Sequence, residues 1–264
     1  MEWVGSARGW AHRRTGLGAT AAGRVLHRGF YDDLLADARL GEQGVRLVAA
    51  TPPGFGGRRA PQDLSVEGYA RITGELAAEL ASTVVVGHSY FANVAIEMAA
   101  TGVFTGPMVL LSLCFSREDE EKDLRQIEGI SRVPGIGRLP WLILPRIINS
   151  SMRGRLPAER HDELVNEMKS NDMKVWRRLV CQYFDHFDTH DSLTARLCDS
   201  GVAAVVVRGD RDEIGLTDPE RRSLEACPSV TMVSVADSGH FVMTDQPSAT
   251  MQAIFDAIGD GSST

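Results

Sequence analysis

Val84-Val85-Val86-Gly87-His88-Ser89-Tyr90-Phe91-Ala92 is the stretch on which the fold turns. Three consecutive β-branched residues favour a strand, and a strand that is apolar at every position suits a parallel sheet covered by helices on both faces. The chain then passes a sharp turn at Gly87-His88-Ser89 into residues 91–100, whose apolar positions have helical spacing. A serine at the tip of such a strand-turn-helix has its Oγ pushed off the end of the sheet, on strained backbone, with a helix N-terminus behind it. That N-terminus favours an oxygen that is gaining negative charge. Ser89 is therefore the candidate nucleophile, and the Tyr90 N–H a candidate donor to the developing oxyanion.

Outward from this turn, residues 45–50, 83–86, 108–113, 203–207 and 230–235 are short, nearly all-apolar runs that read as strands. Residues 66–80, 91–100, 219–226 and 247–258 lie between them with helical periodicity. Thr217 with Glu220 has the form of a capping box, and Asp245 stands where it can cap the helix that Pro247 enters. The alternation predicts an α/β fold, a mostly parallel sheet flanked by helices. Residues 115–197 interrupt it with helical patterns and no convincing strand. The expected organisation is a core of residues 1–114 and 198–264, with 115–197 inserted as a helical cap or lid. The apolar, Gly- and Pro-punctuated middle of that insertion, residues 135–145, suits a lid over an apolar pocket or ordinary packing of the cap. Its start carries Glu118, Asp119, Glu120, Glu121 and Asp123, which read as a solvated helix face.

Three further segments join the serine turn. Thr51-Pro52-Pro53-Gly54-Phe55-Gly56-Gly57 follows the strand at 45–50; Val205-Val206-Val207-Arg208-Gly209-Asp210-Arg211-Asp212 ends a late strand; Ala236-Asp237-Ser238-Gly239-His240-Phe241 follows the last one. With the serine turn these resemble the α/β-hydrolase family across residues 16–258: its G-x-S-x-G elbow, its D-x-P-G-F-G-x-S turn, its strand followed by R-G-x-x-D, and its late G-H-F segment. The chain departs from the elbow pattern at Phe91, where the family usually has a second glycine that lets the helix pack closely. The resemblance implies a Ser89, Asp212, His240 triad in the family's chain order, with Asp210, two residues early, serving the turn. His240 would take the proton from Ser89, Ser89 would attack an acyl carbon, Asp212 would fix the imidazole tautomer, and water would cleave the acyl-enzyme.

The family takes its second oxyanion donor from a loop after the third strand that begins H-G-x. Thr15-Gly16-Leu17-Gly18 is the best match, which makes the Leu17 N–H the expected donor, with Thr15 in place of histidine. That assignment puts the central strand upstream, yet residues 1–14 make a poor central strand. Either the fold forces them into the slot or the chain lacks its natural amino-terminal part. Trp141 and Phe241 are expected to touch substrate, and Trp176, Tyr183 and Phe187 either line the same pocket or pack the cap.

Composition excludes several other classes. A net charge of -7, with 28 Lys and Arg scattered along the 264 residues, leaves no footprint for nucleic acid. No stretch approaches the ~18 uncharged residues of a membrane span. Residues 1–25 lack the apolar run of a secretory signal, so a cytoplasmic protein is expected. Cys114, Cys181, Cys198 and Cys227 are irregularly spaced, without a C-x-x-C pair, and read as small buried hydrophobes in a reducing compartment. The Gly54–Gly57 turn lacks the Lys-Ser/Thr of a phosphate cradle, and Gly16-Leu17-Gly18 lacks the third glycine of a dinucleotide fingerprint. Asp185, His186, Asp188, His190 and Asp191 offer metal-type side chains, but without H-E-x-x-H they read as a solvated or pocket-rim helix. No metal or organic cofactor is expected, because the triad generates its own nucleophile. The function implied is a serine hydrolase acting on an ester, thioester, lactone or related acyl bond of a small to medium apolar molecule. The alternative is a non-catalytic ligand-binding or interaction protein of the same fold. A carboxylate-nucleophile dehalogenase or epoxide hydrolase is disfavoured by Ser89, acyl transfer by the same triad stays open, and so does the oligomeric state.

Overall fold

A computed structural model of the chain describes residues 18–23, 28–190 and 192–261. In chain order these form β1 (Gly18–Gly23), a 3-10 turn (Arg28–Tyr31), α1 (Asp32–Leu35), α2 (Arg39–Glu42), β2 (Arg46–Ala49), α3 (Val66–Glu79), β3 (Val84–His88), α4 (Tyr90–Ala100) and β4 (Met108–Leu111). Five helices follow: α5 (Lys122–Ser131), α6 (Leu139–Ser151), α7 (His161–Lys169), α8 (Met173–His190) and α9 (Leu193–Ser200). The chain then returns to the sheet with β5 (Ala204–Gly209), α10 (Asp218–Glu225), β6 (Val230–Val235), α11 (Val242–Asp245) and α12 (Pro247–Gly261).

The described strands make one six-stranded sheet in the order β2-β1-β3-β4-β5-β6, every pair parallel. This is the α/β architecture expected from the alternating pattern. Strand residues point alternately to two faces, and the cores divide accordingly. Val85, Met108, Leu110, Ala204 and Val206 pack with α3, α4, α8 and α9, while Val84, Val86, Val109, Leu111 and Val207 pack with α1, α7, α11 and α12. Burial of each of these valine, leucine and methionine side chains contributes about 1.5–3 kcal/mol, which is why the apolar runs become strands whose two faces are both covered.

Because all strands run the same way, every carboxyl end emerges at one edge. Ser89 follows β3, Asp212 lies just past β5 and His240 just past β6. Residues far apart in sequence are thereby delivered to one rim, where open parallel sheets carry their sites.

The central strand corrects one of the two alternatives that the sequence leaves open. The slot between β2 and β3 is filled by Gly18–Gly23, not by residues 1–14, with Gly18 opposite Arg46 and Gly23 opposite His88. A run of Gly, Ala and Thr carries little strand preference by itself. Ladders on both sides supply its hydrogen bonds, so position in the sheet decides what composition does not.

A second correction concerns cysteine. Cys198, in α9, is joined by a disulfide to Cys227, after α10, with the Cα atoms 5.8 Å apart and a sequence separation of 29. Cys114 is buried and Cys181 partly so, and neither is in a disulfide. Wide spacing hides such a pair, since α9 and α10 are brought together only by packing.

Candidate active site

Ser89 sits between the last residue of β3 and the first of α4, at φ 52° and ψ -121°. A positive φ is costly for a residue with a Cβ, so the surroundings must hold it there. The Ser89 N–H donates to Leu111 O at 2.8 Å on β4, and Ser89 O accepts from Ala92 N at 2.9 Å in the first turn of α4. The glycine that this turn requires is Gly87. A Cβ on it would stand 2.4 Å from Phe91 O and 2.7 Å from Ala92 Cα, both backbone atoms of α4. Phe91, at the family's second glycine, is accommodated by pointing its ring away from the crossing. The ring is buried against Phe55 at 5.6 Å, Tyr69 at 5.5 Å and Tyr90 at 5.2 Å between centroids.

His240 and Asp212 meet at the same edge. His240 Nδ1 lies 3.2 Å from Asp212 Oδ1, and that oxygen also accepts from the Ile214 N–H at 3.0 Å. The Asp212 side chain is 1% exposed. Its burial would raise the carboxyl pKa, but the hydrogen bond and charge of His240, with the Ile214 N–H, outweigh it and draw the group down to about 2. The buried acid is thus an anion at neutral pH. A neutral imidazole that donates its Nδ1–H to this anion keeps its lone pair on Nε2, which is what a general base requires.

The loop that carries His240 is fixed by three contacts. Asp210, assigned to the turn, accepts from the Ser238 N–H at 3.1 Å. Asp245, expected to cap the final helix, instead accepts from the Gly239 N–H at 2.8 Å. His88 Nε2 lies 2.9 Å from His240 O, with the two rings 4.7 Å apart. The sequence pattern marks neither His88 nor Asp245 as a residue of the site. The signals were His88 beside the serine and Asp245 five residues after His240, but only folding shows what each holds.

Ser89 and His240 line one cavity of about 270 Å³. Its walls are largely apolar, with Trp141, Leu144 and Ile148 from α6 and Trp176, Leu179 and Val180 from α8. The expected Trp141 and Phe241 are both in its lining, and Trp141 is held by its indole N–H donating to Ser131 Oγ at 2.7 Å. Trp176 lines the cavity too, whereas Tyr183 and Phe187 pack behind it in the core. The helix α6 divides its apolar residues: Trp141 and Ile148 turn inward, while Leu139, Leu142 and Ile143 stay exposed.

The acidic run is only in part the solvated face expected of it, since Glu118 and Asp123 are exposed but the residues between them are not all so. Asp119 and Glu120 are buried, and Asp119 Oδ2 accepts from the N–H groups of Phe115 at 2.9 Å and Ser116 at 3.3 Å. Burial, and the Glu220 carboxylate beside it, push Asp119 up to about 6 against the pull of the Phe115 N–H. Glu120, Glu121 and Asp123 line the cavity's polar side with Arg155, which pairs with Glu121 at 3.0 Å and with Glu213. Turns and bends, not a helix, carry residues 116–121, so four of these five charges do not share a helix face, and Asp123 alone lies in α5.

Leu17, the expected second oxyanion donor, lies outside the described residues, as do Thr15 and Gly16. The strand that follows Leu17 brings its carboxyl end, Gly23, level with His88. Its amino end, at Gly18, faces the opposite rim. Tyr90 is the first residue of α4, and its ring is buried against Tyr69 and Tyr183.

Among the described residues no helix is long and apolar enough to cross a membrane. No curated protein matches the chain by sequence. Solved structures of similar fold include a putative aryl esterase from Burkholderia cenocepacia, 16% identical, with a TM-score of 0.74 over 94% of this chain and 92% of that one. A thermophilic esterase from Thermogutta terrifontis is 18% identical, with a TM-score of 0.71 over 93% and 90%. A haloalkane dehalogenase from Bradyrhizobium elkani is 13% identical, with a TM-score of 0.70 over 96% and 93%. At such identities the likeness concerns the fold. The alpha/beta hydrolase family itself matches residues 10–253, and the chain belongs to that family.

Proposed function

We propose that the protein is a serine hydrolase that cleaves an ester-type acyl bond, a carboxylic ester, thioester or lactone, through an acyl-enzyme on Ser89. The observation that carries this reading is His240, paired with the buried Asp212, opening on the same apolar cavity as a serine held at positive φ. His240 Nε2 takes the hydroxyl proton as Ser89 Oγ bonds to the acyl carbon, and the carbonyl oxygen becomes an oxyanion facing the Tyr90 N–H. Collapse of this intermediate expels the alcohol or thiol, which leaves with the proton from His240. Water then repeats the sequence and frees the acid.

Residues 115–197 act in this reading as a cap whose α6 and α8 furnish the acyl site. Its walls suit a small to medium, mostly apolar acyl group, and Glu120, Glu121 and Asp123 disfavour one that carries its own carboxylate. The test is labelling of the protein by a fluorophosphonate, compared with Ser89→Ala, and then a p-nitrophenyl ester series of increasing acyl length. Labelling confined to the parent protein, with rates that peak at short or medium chains, is the expected result. A folded parent protein that takes no label overturns the reading.

A further inference from the structure

Away from the cavity, α8 carries a second constellation. His186 and His190, four residues apart on one face of α8, meet Glu67 from the first turn of α3 and Glu97 from α4. One ligand atom from each of the four lies within 4.8 Å of all the others. His186 is the informative member. Its side chain is 1% exposed, its Nδ1 is 2.7 Å from Glu67 Oε1, and its buried Nε2 has no hydrogen-bond partner among the described residues. A buried ring nitrogen without a partner costs free energy and calls for a ligand. The rings of His186 and His190 are 4.7 Å apart, so a cation between them would satisfy both.

We propose that Glu67, Glu97, His186 and His190 form a divalent-cation site of zinc-type chemistry. Two imidazoles and two carboxylates are a borderline-soft donor set that suits Zn²⁺ better than Ca²⁺ or Mg²⁺, which favour oxygen alone. Ligand atoms at about 2.0–2.2 Å from a tetrahedral ion need only modest side-chain shifts from the present spacing. Arg196 donates to both Glu97 oxygens at 2.8 and 2.9 Å. It offsets one of the two negative charges but leaves the carboxylate's remaining lone pairs for a metal. The other acids near this end of α8 are already engaged, Asp185 with Arg132 and Asp188 with Arg117. Asp191 lies outside the described residues.

The site's place in the fold sets its role. Glu97 is eight residues along α4 from Ser89, about 12 Å at the helical rise, so the ion is out of reach of the reacting bond. It would instead tie α8, which walls the cavity, to α3 and α4. The solvated or pocket-rim reading of these histidines gives way to a junction, buried at His186 and Glu97 and half-buried at Glu67 and His190, whose acidic partners come from other helices. In the sequence the candidate ligands lie along one helix, because neither Glu67 nor Glu97 is near α8 in the chain.

The experiment is titration of the untagged, chelator-stripped protein with Zn²⁺ by calorimetry, with thermal melts and the visible spectrum of the Co²⁺ form. The expected result is one ion per chain, a four-coordinate Co²⁺ spectrum, and a Tm rise of about 5–10 °C at a hundredfold excess over Kd. His190→Gln, at a half-buried position, should weaken binding at least tenfold and abolish the Tm rise, as should Glu67→Gln. Fluorophosphonate labelling of Ser89 should be the same in both variants as in the parent. Absence of saturable binding, or binding unchanged in both variants, overturns the proposal.

Discussion

Gly87→Ala probes how the serine turn is held. Gly87 is not among the residues at positive φ, so alanine meets no conformational penalty there and the obstacle is steric. The new methyl carbon would stand 2.4 Å from Phe91 O and 2.7 Å from both Phe91 C and Ala92 Cα. Contacts of a Cβ below 3.0 Å are essentially never seen, so α4 must retreat from β3 by at least about 0.6 Å. It has little room, because residues from Tyr90 to Ala99 are buried throughout. Overpacking of this kind costs about 1–3 kcal/mol, or a Tm lower by about 3–10 °C for a chain of this size. The displaced turn also carries Ser89 and the Tyr90 N–H, and a misplacement approaching 1 Å lowers rate by up to about a hundredfold. On a p-nitrophenyl ester, kcat should therefore fall by roughly 10–100-fold. KM should change less, since the walls from α6 and α8 are untouched. Thermal melts and rates per folded molecule measure the two effects separately. A Tm within a degree of the parent would refute the packing argument, whatever the activity.

Phe91→Ala removes a buried ring that touches three other aromatic rings, and should cost about 3–5 kcal/mol in urea denaturation; a loss under about 1 kcal/mol would mean the ring is not packed as described. Asp119→Asn bears on pH. A carboxyl raised in the fold from 3.8 to about 6 binds its proton more tightly than in the unfolded chain, so its ionisation lowers stability as pH rises through that window. Asparagine can still accept from the Phe115 and Ser116 N–H groups, so the variant should be the more stable protein at pH 8 and lose that advantage near pH 4. Urea midpoints at the two pH values decide this, and a variant less stable at pH 8 would contradict it.

The sequence by itself determined the parallel core and the chain order of its chemistry. The apolar runs at β3, β4 and β5 cannot be left exposed, so they form strands covered on both faces, and parallel connections then send Ser89, Asp212 and His240 to one edge. The turn residues were legible too, because Gly87 and Gly239 mark places where backbones approach or bend. Wherever a role depends on a neighbour from another element, only the tertiary structure decided. Gly18–Gly23 is a strand because β2 and β3 flank it, and Phe91 is tolerated because α3 and the Phe55 turn receive its ring. Asp119 is buried because backbone N–H groups and Glu220 surround it, Cys198 finds Cys227 across two packed helices, and Glu67 and Glu97 reach His186 and His190 from helices more than eighty residues away in sequence. Periodicity reports which face of an element must be dry. It carries no information about which residue of another element will lie against that face, and that is where the site's electrostatics are set.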